Sequence, residues 1–234
     1  MKNRIFRILL ALTLLGIITI PSLKAQNQAE PEDFRIWGQF YIKKKITKGF
    51  TAMLYGEIRT MENSTKLNQW MICPELLYTF NQYASVTAGY RYNMIMSDKY
   101  DKGFENCHRW FAGGTASYTF GNVVKLSLRE LFEQLNYTDR PSEAINRQLN
   151  SLRSRLRLDF KTGTPFTPHI DAEHFLYLTN YGSFMAGETW MTRYTGGVSW
   201  KFAKEHTIDL FYRYVQYYVK PGLHVLGIFY TFSF

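Results

Sequence analysis

The stretch SLRSRLRLDF sets Arg153, Arg155 and Arg157 at every second position and ends on Asp159 and Phe160. On an extended strand this spacing puts all three guanidinium groups on one face, with Leu152, Leu156, Leu158 and Phe160 on the other. Guanidinium forks match carboxylates and phosphates, so such a row suits two kinds of chemistry. It can be neutralised by carboxylates as a structural filling, or it can hold an anion from outside. Arg59, Arg91, Arg109, Arg129, Arg193 and Arg213 fall in the same phase of their own segments, as do the acidic candidates Glu57, Glu75, Asp159, Asp171, Glu173 and Asp209. Charges taken out of water must be paired or wetted. An ion-paired network is therefore the first expectation, with a role that is structural or interactive. A narrow channel or binding cavity for small anionic solutes is the alternative.

The elements that must position these residues are strands. In FTAMLYGEIRT, Phe50, Ala52, Leu54, Gly56 and Ile58 share one face, and Thr51, Met53, Tyr55, Glu57 and Arg59 share the other. In TWMTRYTGGVSWKF, Trp190, Tyr194, Val198, Trp200 and Phe202 oppose Thr189, Arg193, Thr195, Ser199 and Lys201. Strands are expected at 33–46, 49–60, 68–80, 83–97, 106–120, 123–136, 150–162, 167–179, 188–202, 206–219 and 223–234. Most exceed the five or six residues or so of an ordinary strand and suffice to cross a bilayer, which takes roughly 9–11 tilted residues. In SLRELFEQL the apolar face flips between Leu128 and Leu131, which suggests a bulge. Short turns near 47–49, 81–82, 121–122, 163–166 and 203–205 alternate with longer loops at 61–67, 97–105, 138–149 and 180–187. That asymmetry is the one outer-membrane barrels show. A soluble sandwich or lipocalin-like barrel would use shorter strands.

Aromatic residues mark the strand ends. Tyr78-Thr79-Phe80 and Tyr118-Thr119-Phe120 stand just before two of the short turns, as do Phe160 and the pair Trp200 and Phe202. A belt of rings at one membrane interface follows from that placement. The chain closes on Tyr230, Phe232 and Phe234. This ending is similar to the terminal assembly signal of outer-membrane barrels, recognised by the barrel-insertion machinery.

The N-terminus points to export. Lys2, Arg4 and Arg7 precede the apolar run Ile8–Ile20, and a small residue, Ala25, follows. A signal peptide is expected at residues 1–25, then a short polar leader at 26–32 and a barrel from 33 to 234. Removing residues 1–25 lowers the formal charge from +9 by four, to +5, which weakens any nucleic-acid reading. Cys73 and Cys107 form no disulfide framework, and whether they pair is open.

Enzymatic signals are weak. His169, Asp171 and Glu173 share a face, but beside a short turn rather than toward the outer leaflet, and His108 has only Ser97 and Asp98 across the preceding loop. No reaction is expected, with a lipid hydrolase as the remaining alternative. His169 and His174 face opposite ways, and neither cysteine has ligand spacing, so no metal or cofactor is expected. Gly113-Gly114 and Gly196-Gly197 lie inside strands, where they mark bends or tight contacts.

The segments AGYRYN, SLRE, LRSRLRLDF, PHIDAEHFLY and YRYVQYY, with the ending GLHVLGIFYTFSF, together resemble the domain of unknown function numbered 2490. The resemblance spans nearly all of the chain beyond residue 25. It implies an uncharacterised β-barrel of the outer membrane of Bacteroidota-type bacteria, with no assigned reaction. The expected partners are outer-membrane lipid and lipopolysaccharide, with periplasmic chaperones and the assembly machinery during biogenesis. The barrel is expected to be a monomer. Eleven strands conflict with the even numbers usual in bacterial barrels, so an antiparallel up-and-down barrel of about 10–12 strands is expected, by inward folding of the first segment or by a missed strand.

Overall fold

The computed structural model describes residues 32–97, 103–139, 147–180, 185–218 and 220–234. The expected signal peptide, and residues 26–31 of the leader, lie outside these residues. Eleven strands form: β1 (Asp33–Lys45), β2 (Phe50–Met61), β3 (Lys66–Asn81), β4 (Ala84–Ser97), β5 (Gly103–Phe120), β6 (Val124–Tyr137), β7 (Gln148–Phe160), β8 (Phe166–Tyr177), β9 (Thr189–Trp200), β10 (His206–Tyr217) and β11 (Leu223–Ser233). Alternating apolar and polar residues select this form because one face can turn to lipid and the other to a lumen.

Each strand pairs with the next, and the sheet closes on itself between β1 and β11. The closing pair is parallel, in unbroken register from Asp33↔Leu223 to Lys43↔Ser233. Closure is thus achieved with an odd number of strands, neither by folding the first segment inward nor by adding a twelfth. The even-number rule assumes an antiparallel seam. A parallel ladder satisfies the same edge N–H and C=O groups, so no open edge remains. Phe234 extends the seam, its N–H donating to Lys43 O at 2.9 Å and its carbonyl accepting from Lys45 N–H at 3.1 Å. The start of β1 and the end of β11 lie at opposite ends of the barrel.

One expected long connection is tight. The β2–β3 link, residues 62–65, turns through left-handed Glu62, Asn63 and Ser64, with φ of 51°, 52° and 67°. The expected bulge in β6 is also absent: β6 pairs with β5 and with β7 without any shift in register. The apparent flip arises because the lumen accepts Leu131 and Leu135 beside Arg129 and Glu133, while Glu130 and Gln134 fall on the outer face. A real bulge lies in β9. Phe175 pairs with Met191 but Leu176 pairs with Thr189, leaving Trp190 as the extra residue. It reverses two expected orientations. Trp190 stacks on Tyr177 in the lumen at 5.4 Å and 13°. Thr189 turns outward to His174, Oγ1 to Nε2 at 2.6 Å.

Outward side chains form the apolar surface expected of a membrane-spanning barrel. Ile58, Ile72, Leu76, Val86, Phe132, Ile170, Val198, Leu210, Leu226 and Ile228 are each 41–58% exposed. Contiguous apolar surface on this scale needs a nonaqueous neighbour. The aromatic belt closes its short-turn end: Tyr118 meets Phe120 at 4.8 Å, Phe166 stacks on Trp200 at 6.0 Å and Phe232 stacks on Phe234 at 5.1 Å. A second belt marks the other end, where Tyr90 meets Trp110 at 4.5 Å and Trp70 meets Tyr92 at 5.7 Å. Trp110 and Phe120 stand ten residues apart on β5, which at usual rise and tilt is about 25 Å along the axis, the height of a barrel's lipid band.

Glycine serves tight packing inside. A Cβ on Gly227 would stand 2.0 Å from the ring of Phe211, and one on Gly113 2.0 Å from Glu130 O, so both strands require glycine there. Cys73 and Cys107 are buried on β3 and β5 with β4 between them, and no disulfide joins them.

Candidate functional site

Inward residues of all eleven strands surround a cavity of about 650 Å³. Glu57, Arg59, Arg91, Arg109, Arg129, Arg153, Arg155, Arg157, Glu173, Arg193 and Arg213 all line it, as strand alternation requires. The lining runs from Arg35, Asn68, Met96 and Lys220 at the long-connection end to Tyr41, Phe229, His169 and Asp209 toward the short turns.

Two carboxylates organise the wall. Glu133, which sequence phase had hidden behind the supposed bulge, accepts from Arg153 Nη1 at 2.7 Å and lies 3.3 Å from Arg109 and 3.9 Å from Arg91. Glu173 takes Arg129 at 2.5 Å, Arg153 at 2.9 Å and Arg193 at 3.5 Å. Arg153 therefore bridges the two, tying β6 and β8 through β7. Glu133, Arg153 and Glu173 are 1%, 8% and 4% exposed. Charges so far from water persist only with such multiple, charge-assisted partners.

A second group lies across the lumen. Arg59 grips Glu57 with two nitrogens, at 2.7 and 3.0 Å, and stacks 4.0 Å from the Trp37 ring centre. Gln39 and Tyr55 also donate to Glu57. Arg213 finds a hydroxyl instead of a carboxylate: its Nε donates to Thr195 Oγ1 at 2.8 Å, and its plane lies over Trp37 and Phe211.

His169 lies 2.9 Å from Asp209, which also accepts from Ser199 Oγ at 2.7 Å. The carboxylate thus stands between histidine and serine. Nucleophile activation needs the base between them, so the trio does not form a hydrolase relay. His108 is engaged by the Tyr90 hydroxyl; its expected partner Asp98 lies outside the described residues, and nothing is described of the Ser97 side chain. Among the described residues no cluster of three or more metal-ligating side chains forms.

Apolar clusters share the lumen, a component that charge counting missed. Trp37, Phe175, Met191, Phe211, Val215, Leu223 and Val225 form one, and Tyr55, Met71, Cys73, Phe111 and Leu131 another. Tyr41 and Phe229 pack against the second, with ring centres 5.2 Å apart. These clusters narrow the barrel and leave the arginine-lined chamber between them. Their signal was present in the sequence as apolar residues in the inward phase, such as Met71, Phe111 and Phe211.

The charge balance is uneven. Ten arginines and Lys220 line the chamber, with the five carboxylates Glu57, Glu133, Asp171, Glu173 and Asp209; Asp33 and Asp159 hold Arg35 and Arg157 at 2.7 and 2.8 Å, which leaves a formal excess of four positive charges.

Comparison with curated proteins returns no match. Among solved structures, the chain is similar to the outer-membrane expressed OmpT of Vibrio cholerae, at 14% identity over 71% of this chain and 54% of that one, with a TM-score of 0.40. It is similar to a loop L8 deletion mutant of the same protein at 14% identity over 74% and 59%, with a TM-score of 0.42. This chain therefore spans little more than half the length of those barrels. A family model matches residues 34–222, most of the barrel. The chain belongs to the family described as protein of unknown function, DUF2490.

Proposed function

We propose that this protein is an outer-membrane β-barrel that captures small anionic solutes in its lumen. The observation that carries this reading is the cation excess of the chamber, eleven cations against the seven carboxylates that line it or hold its arginines, around about 650 Å³. A cation excess removed from bulk water is stabilised by an anion that enters with it. The paired part of the wall, centred on Glu133 and Glu173, holds the strands in place, and the unpaired part is available to a guest. Outer-membrane residence is supported by the two aromatic belts and the apolar band between them. In this reading the outer face of the barrel meets lipid and lipopolysaccharide as a monomer, and Tyr230, Phe232 and Phe234 serve as the C-terminal assembly signal.

Planar-bilayer recording and calorimetry test the proposal together. Binding of small multivalent anions to the purified barrel, with cations of similar size not bound, is the expected result. A barrel that binds no anion at low ionic strength would have a purely structural lumen. Conductance steps that prefer anions would extend capture to passage. Membrane residence is checked separately by fractionation: recovery in the soluble fraction, with no change in gel mobility on boiling, would overturn it.

A further inference from the structure

Arg155 differs from the other lumen arginines. Arg129 stands directly opposite it across the β6–β7 ladder, and Arg153 and Arg157 flank it on the same face of β7. Like charges facing each other across a ladder destabilise the pair unless something neutralises them. Its other cross-strand neighbour is Glu173, yet those oxygens are taken by Arg129, Arg153 and Arg193. Among the described residues, Arg155 has no carboxylate within ion-pair distance, and its guanidinium donates no hydrogen bond. Arg157 has capacity to spare. Its Nε is held by Asp159 at 2.8 Å, but its two terminal nitrogens approach Asp171 and Asp209 only at 3.9 Å. All three arginines line the chamber.

From this arrangement we infer an oxyanion seat formed by Arg129, Arg155 and Arg157, whose occupant is a phosphate or sulfate group, free or on a small ester. The inference rests on the anion-capturing lumen and narrows it to one place and one ligand class. Guanidinium forks give paired, in-plane donors to the oxygens of such groups. A doubly charged tetrahedral oxyanion answers three neighbouring cations better than a halide or a monocarboxylate, since the attraction scales with the product of charges. The chamber is much larger than one phosphate, so it also accepts an ester carrying that group.

The test is calorimetry on the detergent-solubilised full barrel, with inorganic phosphate, glucose 6-phosphate and acetate as separate probes. Arg155→Gln and Arg155→Lys are compared with the native protein after each is shown to be heat-modifiable on a gel. Phosphate affinity should fall at least tenfold in Arg155→Gln and less in Arg155→Lys. Phosphate should raise the thermal midpoint of the native barrel and leave that of Arg155→Gln unmoved. Tighter binding of glucose 6-phosphate than of phosphate identifies an ester as occupant, and equal or weaker binding identifies the free ion. Unchanged phosphate affinity in Arg155→Gln overturns the seat while leaving lumen capture standing. Failure of the native barrel to bind any of the three overturns both. Acetate bound as tightly as phosphate overturns the ligand class.

Discussion

Glu32 and His224 meet at 2.6 Å where the chain enters β1 beside β11. Glu32 also accepts from Tyr214 at 2.9 Å, and Tyr212 lies 2.5 Å from the other ring nitrogen of His224. This cluster fastens the outer end of the parallel seam. The hydrogen bond to His224, then that from Tyr214, holds the Glu32 carboxyl below its usual range. A carboxyl lowered in the folded state contributes stability that is complete above its ordinary pKa and is lost as pH falls through the lowered one. Amide exchange in β1 and β11 should therefore accelerate on acidification, relative to β4 and β5. Glu32→Gln should show the faster seam exchange already at pH 7. The sites are exposed, so the effect should stay below about 1 kcal/mol.

Arg153 serves two carboxylates at once, so its loss should be felt at both. Arg153→Ala should lower barrel stability by about 3 kcal/mol, as for one partner removed from a buried pair. Glu133→Gln in the same chain should add much less than it does alone, because the two act as a unit. Urea unfolding from micelles or lipid vesicles, followed by gel mobility, provides the measurement. Additive losses would mean that the two groups act independently.

Trp190 and Trp110 should report opposite sides of the wall. Trp110 is 57% exposed on the outer face, whereas Trp190 stacks on Tyr177 inside. In vesicles with brominated acyl chains, a variant retaining only Trp110 should be strongly quenched, and one retaining only Trp190 should keep its emission. Equal quenching would show that the β9 bulge does not turn Trp190 inward.

Phe234 pairs through its backbone with β1 and stacks its ring on Phe232. Phe234→Ser removes the ring but leaves the backbone free to pair. Yield of folded barrel in outer membranes should drop several-fold, while the purified, refolded variant should differ from the native barrel by about 1 kcal/mol or less. An unchanged yield would remove the terminal rings from assembly.

Much of the architecture was readable because period-two alternation is a strong signal over strands of 11–18 residues. Each strand formed within three residues of its expected ends. Parity alone assigns nine of the ten chamber arginines to the lumen side; Arg35, near the start of β1, was not among the residues it picked out. What parity lacks is information about partners. Glu133 was overlooked since leucines at 131 and 135 made the inward phase of β6 look outward. Trp190 was assigned to lipid because one inserted residue shifts the phase of the strand on one side of it and leaves little trace in composition. The closure was out of reach for a related reason: an odd strand count is compatible with a closed sheet only if the seam is parallel, and no local pattern in β1 or β11 states which neighbour it will have. The free valence of Arg155 likewise follows from which arginines reach Glu173 first, a matter of distance rather than sequence.

The parallel seam also constrains the order of folding. Every other ladder joins strands adjacent in the chain, so it can grow by successive hairpins at small loop-closure entropy. The pair Asp33↔Leu223 brings together residues 190 apart. It has to wait until the intervening strands have curled the sheet far enough for the two edges to meet. Until then both edges carry unpaired backbone groups, and the sheet is open to pairing with another chain. Closing the seam is thus the step at which a sticky ribbon becomes a finished cylinder, and a change that slows it would show as aggregation before any loss of strand structure.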